Sequence, residues 1–344
     1  MKRILYVIVL TVVLPLSLQA QKTVNVVKAG TLVSLISEEE KYEIQELTVT
    51  GELNGADLAL LRDMAGNNIA GQITEGKLKV LDLSGANIVS GGMYLDTDRI
   101  NFQEGGNSAT GSFHLTAVGG IMPNWCFYAC NSLKEINLPK TVTAIGKGAF
   151  MDSKLTSITV PDGIKNIGER AFYHNIYLKA FKMPASARHI GPNAFAYCDE
   201  LTEIDIPYSV TKIGKNAFRK CSAITKVNCH MAKPCEITDK TFESVATNAT
   251  LYVPKGTKAA YEAAEVWKTF KAIVETEEEP VPAPIDPGDA NGDDEINAAD
   301  IVEVVNYMTG KPSESFVFSA ADVTGNGTVD TDDIKGIVDI IMKK

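Results

Sequence analysis

A phenylalanine recurs every 22 to 24 residues through the middle of this chain. The series comprises Phe127, Phe150, Phe172, Phe195 and Phe218, and it ends with Phe242. Two other markers keep the same phase, namely prolines (Pro139, Pro161, Pro184, Pro207) and Ile-Gly pairs (beginning at Ile145, Ile167, Ile190, Ile213). A fixed period of this length predicts a solenoid, in which each copy forms one coil that stacks on its neighbours.

Each copy has the pattern of two short strands joined by turns. In the first copy, Leu133, Ile136 and Leu138 alternate with polar residues, which predicts a half-buried strand. The following proline ends the strand because it has no N–H to donate. A second short strand runs to the Ile-Gly pair, where we expect the glycine to let the backbone turn sharply. The phenylalanines should then stack as an aromatic ladder in the core.

Less regular segments flank these coils. Residues 21–125 are expected to form an irregular leucine-rich capping region, with strands around Leu47 and Leu81, one or two helical turns at residues 57–64 and a long loop at residues 90–120. Residues 126–274 should contain the regular repeats and their C-terminal cap. In that cap, Trp267 and Phe270 are available to cover the last coil.

The two segments outside these ranges predict export and a tether. In residues 1–20, two basic residues precede a short apolar run that ends at small residues, which is typical of a secretory signal peptide. No later stretch is long and apolar enough to span a membrane, so we expect an exported, soluble protein in the periplasm, at the cell surface or outside the cell. Residues 275–287 are rich in glutamate and proline, which predicts an extended linker of up to about 40 Å.

The negative charge is concentrated at the C-terminal end. The chain carries a net charge of −10, and residues 286–344 contain 13 acidic but only 4 basic residues. The acidic residues therefore indicate which ligands the C-terminal segment binds, and they say nothing about the ligands of the repeats. Nucleic acid is not an expected partner, because the repeats show no strongly basic stripe.

Residues 288–344 contain a duplicated twelve-residue loop, which runs from Asp289 to Asp300 and returns 33 residues later as Asp322 to Asp333. A helix with apolar residues at i, i+3, i+4 and i+7 follows each copy. These apolar residues are Ile301, Val304, Val305 and Met308 after the first loop, and Ile334, Ile337, Val338 and Ile341 after the second. We expect the two apolar faces to pack on each other.

The loops predict two calcium ions, one in each. Oxygen-bearing side chains at loop positions 1, 3, 5, 9 and 12 and a carbonyl at position 7 suit this hard cation. The candidate ligands are Asp289, Asn291, Asp293, Asn297, Asp300 and the backbone of Glu295 in the first loop, and Asp322, Thr324, Asn326, Asp330, Asp333 and the backbone of Thr328 in the second. Position 6 is Gly327 in the second loop but Asp294 in the first. We expect weaker binding in the second loop, which has fewer carboxylates at positions 1 to 5.

Most of the six cysteines occupy repeat positions that other copies fill with small or apolar residues. Cys130, Cys198 and Cys221 share the position of Ser153 and Asn175, and Cys126 replaces an alanine. This pattern predicts small buried side chains more than a disulfide framework. Stacked coils would bring Cys198 near Cys221, which leaves a bridge between them open.

No catalytic arrangement is expected on the solenoid. Glu203 and Asp205 lie on one strand face, but their neighbours are polar and nothing there would exclude water. The four histidines (His114, His174, His189, His230) do not cluster at ligand spacing, and Cys229, His230 and Cys235 resemble a metal site only faintly. A weak basic strip of Lys165, Arg188, His189, Lys212 and Lys215 could meet acidic glycans or a protein, or could simply be a solvated face.

The repeats resemble the BspA-like leucine-rich repeat family, because they carry its A-F-x-x-C, L-x-x-I-x-L-P and I-G motifs. The two loop–helix units resemble a type I dockerin. The resemblance implies an α/β leucine-rich-repeat solenoid, mostly β on one face, followed by a small all-α EF-hand-like module. It also implies that a cohesin-like protein partner binds the calcium-ordered helices. The residue pairs after position 9 (Ala298-Ala299 and Thr331-Asp332) differ from each other and from the Ser-Thr of cellulosomal dockerins, which argues against symmetric dual-mode binding.

Together these observations favour a non-enzymatic interaction protein whose repeats present a surface to a host protein or glycan and whose dockerin attaches it to a partner or cell-surface assembly. Two alternatives stay open. One is a subunit of a polysaccharide-degrading system associated with glycoside hydrolases, since dockerins commonly accompany such enzymes. The other is a self-contained adhesin whose C-terminal module packs on its own repeats.

Overall fold

The computed structural model describes residues 21–96, 103–104, 107–108, 114–293 and 295–342. The expected signal peptide lies outside these residues. The chain divides into two compact units, with the boundary between Pro280 and Val281. None of the helices in the described residues is long and apolar enough to cross a membrane.

The first unit is a β-solenoid of stacked coils. Its strands are β1 Gln21–Val26, β2 Glu46–Leu53, β3 Val80–Ile88, β4 Gly91–Asp96, β5 Gln103–Glu104, β6 Asn107–Ser108, β7 His114–Ala117, β8 Ile121–Met122, β9 Glu135–Asn137, β10 Ala144–Ile145, β11 Ser157–Thr159, β12 Asn166–Ile167, β13 His189–Ile190, β14 Glu203–Ile206, β15 Lys212–Ile213, β16 Lys226–Cys229, β17 Thr250–Val253 and β18 Ala272–Glu275. Its helices are α1 Gly55–Met64 and α2 Lys258–Ala263, with short 3₁₀ turns at Leu32–Ser34 and Trp267–Thr269.

Parallel sheets run along the stack, and each coil that takes part in a sheet adds one strand to it. The first strands of the copies form two sheets, in the orders β1-β2-β3-β9-β11 and β14-β16-β17-β18, and the second strands form a third, in the order β15-β13-β12-β10-β8. A further set of backbone hydrogen bonds links the turns, where the N–H of each ladder phenylalanine up to Phe195 donates to an alanine carbonyl of the next coil. The coils are therefore hydrogen-bonded to each other through their second strands and turns, and through most of their first strands.

The predicted aromatic ladder is confirmed. All six phenylalanines from Phe127 to Phe242 are buried, and neighbouring rings are stacked with centroids 5.1 to 5.8 Å apart. At its end, the rings of Trp267 and Phe270 lie 5.5 and 5.1 Å from that of Phe242. Because both residues are buried there, the prediction that they cap the last coil is also confirmed.

The cysteines are all free, and those beside the ladder have a defined hydrogen-bonding role. The Sγ atoms of Cys198 and Cys221 donate to the carbonyls of Phe172 and Phe195, one coil earlier, at 3.2 and 2.9 Å. At the equivalent position Asn175 Nδ2 donates to the carbonyl of Phe150 at 2.7 Å. Ser153, at the same position, donates from its Oγ to Asn175 Oδ1 at 2.6 Å. The position therefore favours a small side chain with a hydrogen-bond donor, which serine, asparagine and cysteine all supply.

The glycines of the Ile-Gly pairs serve a purpose that differs from the expected one. Gly146, Gly168, Gly191 and Gly214 do not have a positive φ. Instead they touch the backbone of the preceding coil, because a Cβ at any of them would lie 2.4 to 2.7 Å from its nearest backbone atom there. Positive φ angles occur instead two residues further along each turn, at Trp125, Gly148, Arg170, Asn193 and Asn216. Close stacking, rather than a sharp turn, makes this column glycine.

Two expectations about the coils were wrong. The third copy lacks the first strand, and Phe181 occupies the place of the usual isoleucine and packs between Phe172 and Phe195 at 5.0 and 4.7 Å. The segment expected to be a long loop contains an antiparallel pair, β4 with β7. The helix before it is also longer than expected, because Asn54 and Asp57 form a capping box that starts α1 at Gly55.

The expected linker begins with residues that belong to the solenoid. Glu275 ends β18, and the backbone of Lys255 donates to the Glu278 carbonyl at 2.8 Å. The carboxylate of Glu278 also lies 2.7 Å from His230 Nδ1, and that of Glu279 lies 2.7 Å from Lys255 Nζ. These contacts anchor the acidic residues to the last coils, although the segment has few apolar side chains.

The second unit contains α3 Ala298–Met308, α4 Phe318–Ala321 and α5 Thr331–Met342. Its small core consists of Ala290, Val304, Ala321 and Ile337, and partly buried apolar residues pack around them. Val304 and Ile337 come from the two helices that follow the duplicated loops, so the predicted packing of their apolar faces is confirmed at these positions.

Candidate metal centre

The first loop is organised by side-chain oxygens that accept hydrogen bonds from its own backbone. Asn297 is the N-cap of α3, and its Oδ1 accepts from Ala299 N at 2.8 Å. Asp300 completes a capping box, because its Oδ2 accepts from Asn297 N at 2.8 Å, while its Oδ1 accepts from Asn291 N at 3.2 Å. The carboxylate at position 12 therefore links the beginning of the loop to the beginning of the helix.

Three carboxylates of this loop converge. One oxygen from each of Asp289, Asp293 and Asp300 lies within 4.8 Å of the others, and Asp289 and Asp300 are buried. Negative charges that are close together and partly buried repel each other unless a cation compensates them. Oxygen donors are also the ligands that calcium prefers, so this loop fits the ion.

The second loop repeats the arrangement with fewer charges. The Asp333 carboxylate is buried and accepts from Thr324 N and Asp330 N, both at 2.9 Å. Asp322 accepts from Asn326 N at 3.1 Å and from Gly327 N at 2.8 Å. Asparagine replaces aspartate at position 5 and threonine replaces asparagine at position 3, so the candidate ligands at positions 1 to 5 include one carboxylate in place of two.

Hydrogen bonding also affects the ionisation of Asp333. Burial raises the pKa of its carboxyl, but the hydrogen bonds from the backbone of Thr324 and Asp330 and from the Thr324 hydroxyl outweigh this effect. The pKa of Asp333 therefore lies below its ordinary value. The carboxylate is kept ionised, which is the form that a metal ligand requires.

Loop glycines that the sequence reasoning missed occupy position 4. Gly292 and Gly325 stand at equivalent positions and have φ values of +71° and +69°. Gly327 at position 6 has a φ of +82°, in the left-handed region that favours glycine, and Asp294 lies outside the described residues. The recurrence of glycine at the same loop position in both copies was a signal that the sequence offered.

The helices α3 and α5 each have a buried and an exposed set of apolar side chains, although the sequence predicted only a buried set. Val304 and Ile337 are fully buried, as expected. Val305, Met308 and Val338 were expected in the same core, but they are exposed. The 3.6-residue period places them at the edge of the buried stripe, and the core of this small unit is too narrow to cover them.

A buried glutamate supports the segment between the helices. Glu303 of α3 accepts a hydrogen bond from Ser313 N at 2.6 Å, and this bond holds the pKa of its carboxyl below the ordinary value. The ring of Tyr307 stacks on that of Phe316 with centroids 4.5 Å apart. Both contacts fix the chain that leads from α3 to the second loop. No sequence motif indicated either contact.

The other candidates on the solenoid do not assemble into a site. Glu203 and Asp205 are exposed on the sheet, where Lys226 Nζ lies 3.8 Å from Glu203 and Asn228 Nδ2 donates to Asp205 at 2.7 Å. Three histidines have separate partners, which are Asp152 for His174, Asn166 for His189, and Asp205 and Glu278 for His230. The side chain of His114 lies outside the description.

The basic strip is weaker than expected. Arg188, one of its members, is buried rather than directed outward.

Burial raises the pKa of the Cys229 thiol to about 12 and that of the Cys235 thiol to about 11, so neither is a ready thiolate ligand. Within the described residues, Asp289, Asp293 and Asp300 are the only cluster of acidic, histidine or cysteine side chains with the geometry of a metal site.

Two family models match the chain. The BspA-type leucine-rich repeat region matches residues 120–249 in six copies, and the type I dockerin domain matches residues 287–338. The second range includes both duplicated loops, and type I dockerins are calcium-binding modules. No curated protein matches the sequence.

The solved structures with similarity to the chain include leucine-rich repeat proteins and a bacterial antigen. A leucine-rich repeat protein from T. pallidum is 28% identical, with a TM-score of 0.34, and the match covers 42% of this chain and 72% of that one. The pneumococcal vaccine antigen PcpA is 14% identical, with a TM-score of 0.32 and 68% coverage of both chains. A leucine-rich repeat protein from Bacteroides ovatus is 13% identical, with a TM-score of 0.27, and the match covers 67% of this chain and 73% of that one.

The sequence motifs, the stacked coils and the duplicated loops thus agree with the matched families: residues 120–249 are a BspA-type leucine-rich repeat region, and residues 287–338 are a type I dockerin domain.

Proposed function

We propose that this is an exported, non-enzymatic interaction protein, which its dockerin attaches to a cohesin-like module of a partner or of a cell-surface assembly. Leucine-rich repeats and dockerins are non-catalytic modules, which supports this reading. Both are typical of extracellular or surface proteins, and the pattern of residues 1–20 fits export. The solenoid would then present its surface to a second ligand.

The observation that carries the docking proposal is the exposed apolar surface of the two loop-following helices. Five large apolar side chains on α3 and α5 are exposed, namely Val302 (57%), Val305 (42%), Met308 (42%), Val338 (39%) and Met342 (79%). A unit whose described core is a cluster of four buried apolar residues would gain by covering these side chains. Exposed apolar side chains grouped on helices are typical of protein interaction surfaces.

The two helices would not contribute equally. The residues after position 9 are exposed in both copies, but Ala298-Ala299 begins α3 without a charge, whereas Asp332 in α5 pairs with Lys335 at 2.7 Å. A partner surface that is complementary to the uncharged beginning of α3 would meet an ion pair at the beginning of α5. We therefore expect a single binding orientation rather than two equivalent ones.

Calcium would compensate the loop carboxylates and so fix the beginnings of α3 and α5. We propose two ions. Asp289, Asn291, Asp293, Asn297, Asp300 and the Glu295 carbonyl would hold the first, and Asp322, Thr324, Asn326, Asp330, Asp333 and the Thr328 carbonyl would hold the second. The position-12 aspartates would bind the ion while they keep their hydrogen bonds to the loop backbone, so ion binding and the helix starts would be coupled.

Binding of the purified full-length chain to a panel of recombinant cohesin modules, with calcium and with chelator, tests the proposal. We expect calcium-dependent binding to at least one module, and a loss of at least tenfold in affinity for Val305→Lys. The matched control is Val27→Lys, because Val27 is an exposed valine of the solenoid (83%) and its replacement should leave binding unchanged. Retention of binding in chelator, equal losses for both variants, or no binding to any module would contradict the proposal.

A further inference from the structure

Aromatic side chains line the turn edge of the solenoid, although the strand faces of the regular repeats lack them. Five consecutive coils contribute to a row that we call the aromatic strip. Three of them supply four aromatic side chains (Trp125, Tyr128, Tyr173, Tyr197), and the other two supply Met151 and Arg219. All six are half-buried. They lie on the turns that follow the second strands, beside the buried phenylalanine ladder.

The rings of the aromatic strip are in contact with each other in pairs. The centroids of Trp125 and Tyr128 are 5.9 Å apart at 89°, and those of Tyr173 and Tyr197 are 5.4 Å apart at 62°. The guanidinium carbon of Arg219 lies 6.0 Å from the Tyr197 ring centroid and continues the row. Burial raises the pKa of the Tyr128 and Tyr173 hydroxyls. The rings are therefore held by packing, so a ligand would lose little side-chain entropy by ordering them.

The Trp125 ring lies across the next coil. A Cβ on Gly148 would come within 2.1 Å of the Trp125 ring, so glycine is required beneath it. Lys147 Nζ lies 5.9 Å from the ring centroid. The indole therefore packs directly against the backbone of the next coil at Gly148.

The charges beside the aromatic strip are compensated within the protein. Glu169 pairs with Lys147 at 3.2 Å and with Arg170 at 3.3 Å. Glu243 pairs in the same way with Arg219 at 2.9 Å and with Lys220 at 3.3 Å, and Asp152 pairs with His174 at 2.6 Å. A strongly charged ligand would have to displace these partners, whereas an uncharged ligand with many hydroxyl groups could hydrogen-bond to them as they stand.

We propose that the aromatic strip binds an extended chain of a neutral polysaccharide. Pyranose rings present C–H faces that stack on aromatic rings, and their hydroxyls pair with the tyrosine hydroxyls and the flanking ion pairs. Successive coils repeat about every 4.8 Å, so five coils offer a row of about 20 Å that a linear polymer can follow. A globular partner needs a patch of about 800 Å² on each side, which a row one side chain wide does not provide.

The two tryptophans of the chain make the test direct. Trp125 is in the aromatic strip, whereas Trp267 is buried in the C-terminal cap. We expect the intrinsic fluorescence of the full-length protein to change saturably when soluble hydroxyethyl cellulose, galactomannan, arabinoxylan or pullulan is added. The change should disappear in Trp125→Phe. Affinity electrophoresis in gels that contain the same polysaccharides measures binding independently of fluorescence.

Variants of the tyrosines locate the site. Tyr173→Ala/Tyr197→Ala should weaken binding at least tenfold, whereas Tyr177→Ala removes an exposed tyrosine outside the row and should leave it unchanged. The milder Tyr197→Leu keeps the packing and should still weaken binding, so a folding defect in the double variant does not decide the outcome. The proposal would be overturned if the protein bound none of the four polymers or bound only acidic polygalacturonate. It would also be overturned if Tyr177→Ala weakened binding as much as the variants of Tyr173 and Tyr197. Because the dockerin does not take part, failure of cohesin binding would leave this test unaffected.

Discussion

Replacement of a single stacked glycine by alanine should destabilise the solenoid. At Gly191 a Cβ would lie 2.6 Å from both Glu169 N and the Gly168 carbonyl carbon of the preceding coil. An ordinary contact needs about 3.4 Å, so the two coils would have to separate by roughly 0.8 Å. The hydrogen bond from Gly191 N to Ile167 O is 2.8 Å long and would be broken or stretched by that movement.

The expected loss of unfolding free energy in Gly191→Ala has two sources, which are overpacking between the coils and the weakened hydrogen bond. Forced insertion of a methyl group into a packed region costs about 1–3 kcal/mol, and loss of one backbone hydrogen bond costs about 1 kcal/mol. Alanine recovers about 0.4–1 kcal/mol because it restricts the unfolded chain. We therefore expect the free energy of unfolding to fall by about 2–3 kcal/mol. For a unit of this size, that change lowers Tm by roughly 4–12 °C.

The matched control is Gly163→Ala. The nearest atom to a Cβ at Gly163 is Val142 O at 3.7 Å, and the equivalent position in other copies holds Thr141, Ser186 or Ser209. This variant should be neutral or raise Tm by roughly 1–4 °C, because only the unfolded-state effect remains. Thermal and urea unfolding followed by far-UV circular dichroism compares both variants with the parent. If Gly191→Ala proved as stable as Gly163→Ala, close stacking would not be the reason for the glycine column.

Three further predictions concern the core, the loops and the thiols. Phe195→Ala removes a ring from the middle of the ladder and should lower the free energy of unfolding by about 3–5 kcal/mol in urea titrations, whereas a loss below 1 kcal/mol would mean that the ladder is not structural. Calcium calorimetry should resolve two sites of unequal affinity, with Asp293→Ala removing the tighter one and Asn326→Ala the weaker one, and equal affinities would contradict the ranking. Native protein at pH 8 should resist alkylation by iodoacetamide, with Cys235 reacting first by mass spectrometry.

The raised thiol pKa values also give the sign of a pH effect. The buried Cys229 thiol ionises at about pH 12 in the folded protein, whereas an unfolded thiol ionises near pH 8.5. Above that lower value the unfolded chain releases protons that the folded chain retains, which favours unfolding. The stability that these thiols contribute is fully present below about pH 8.5 and is progressively lost as the pH rises toward 12.

The sequence by itself determined the features that repeat. The phase of Phe127 to Phe242 was sufficient to predict the solenoid and its aromatic ladder, because a side chain that recurs once per coil must stack on its own copies. The duplication of the loops was likewise sufficient to predict that Asp289 and Asp300 lie close together, at the two ends of one twelve-residue loop. Both predictions depend on local spacing, which a sequence displays directly.

Only the tertiary structure decided what each repeated position contacts. The glycine column at Gly191 reflects a neighbouring backbone 2.6 Å away, and the Cys221 position reflects a phenylalanine carbonyl one coil earlier. Val305 was assigned to a core that proved too narrow to cover it, and Tyr173 and Tyr197 meet although their positions within the repeat differ. In each case the partner lies on another coil or helix, and its distance depends on how closely the elements pack. That packing distance is a property of the folded chain, which residue spacing alone does not specify.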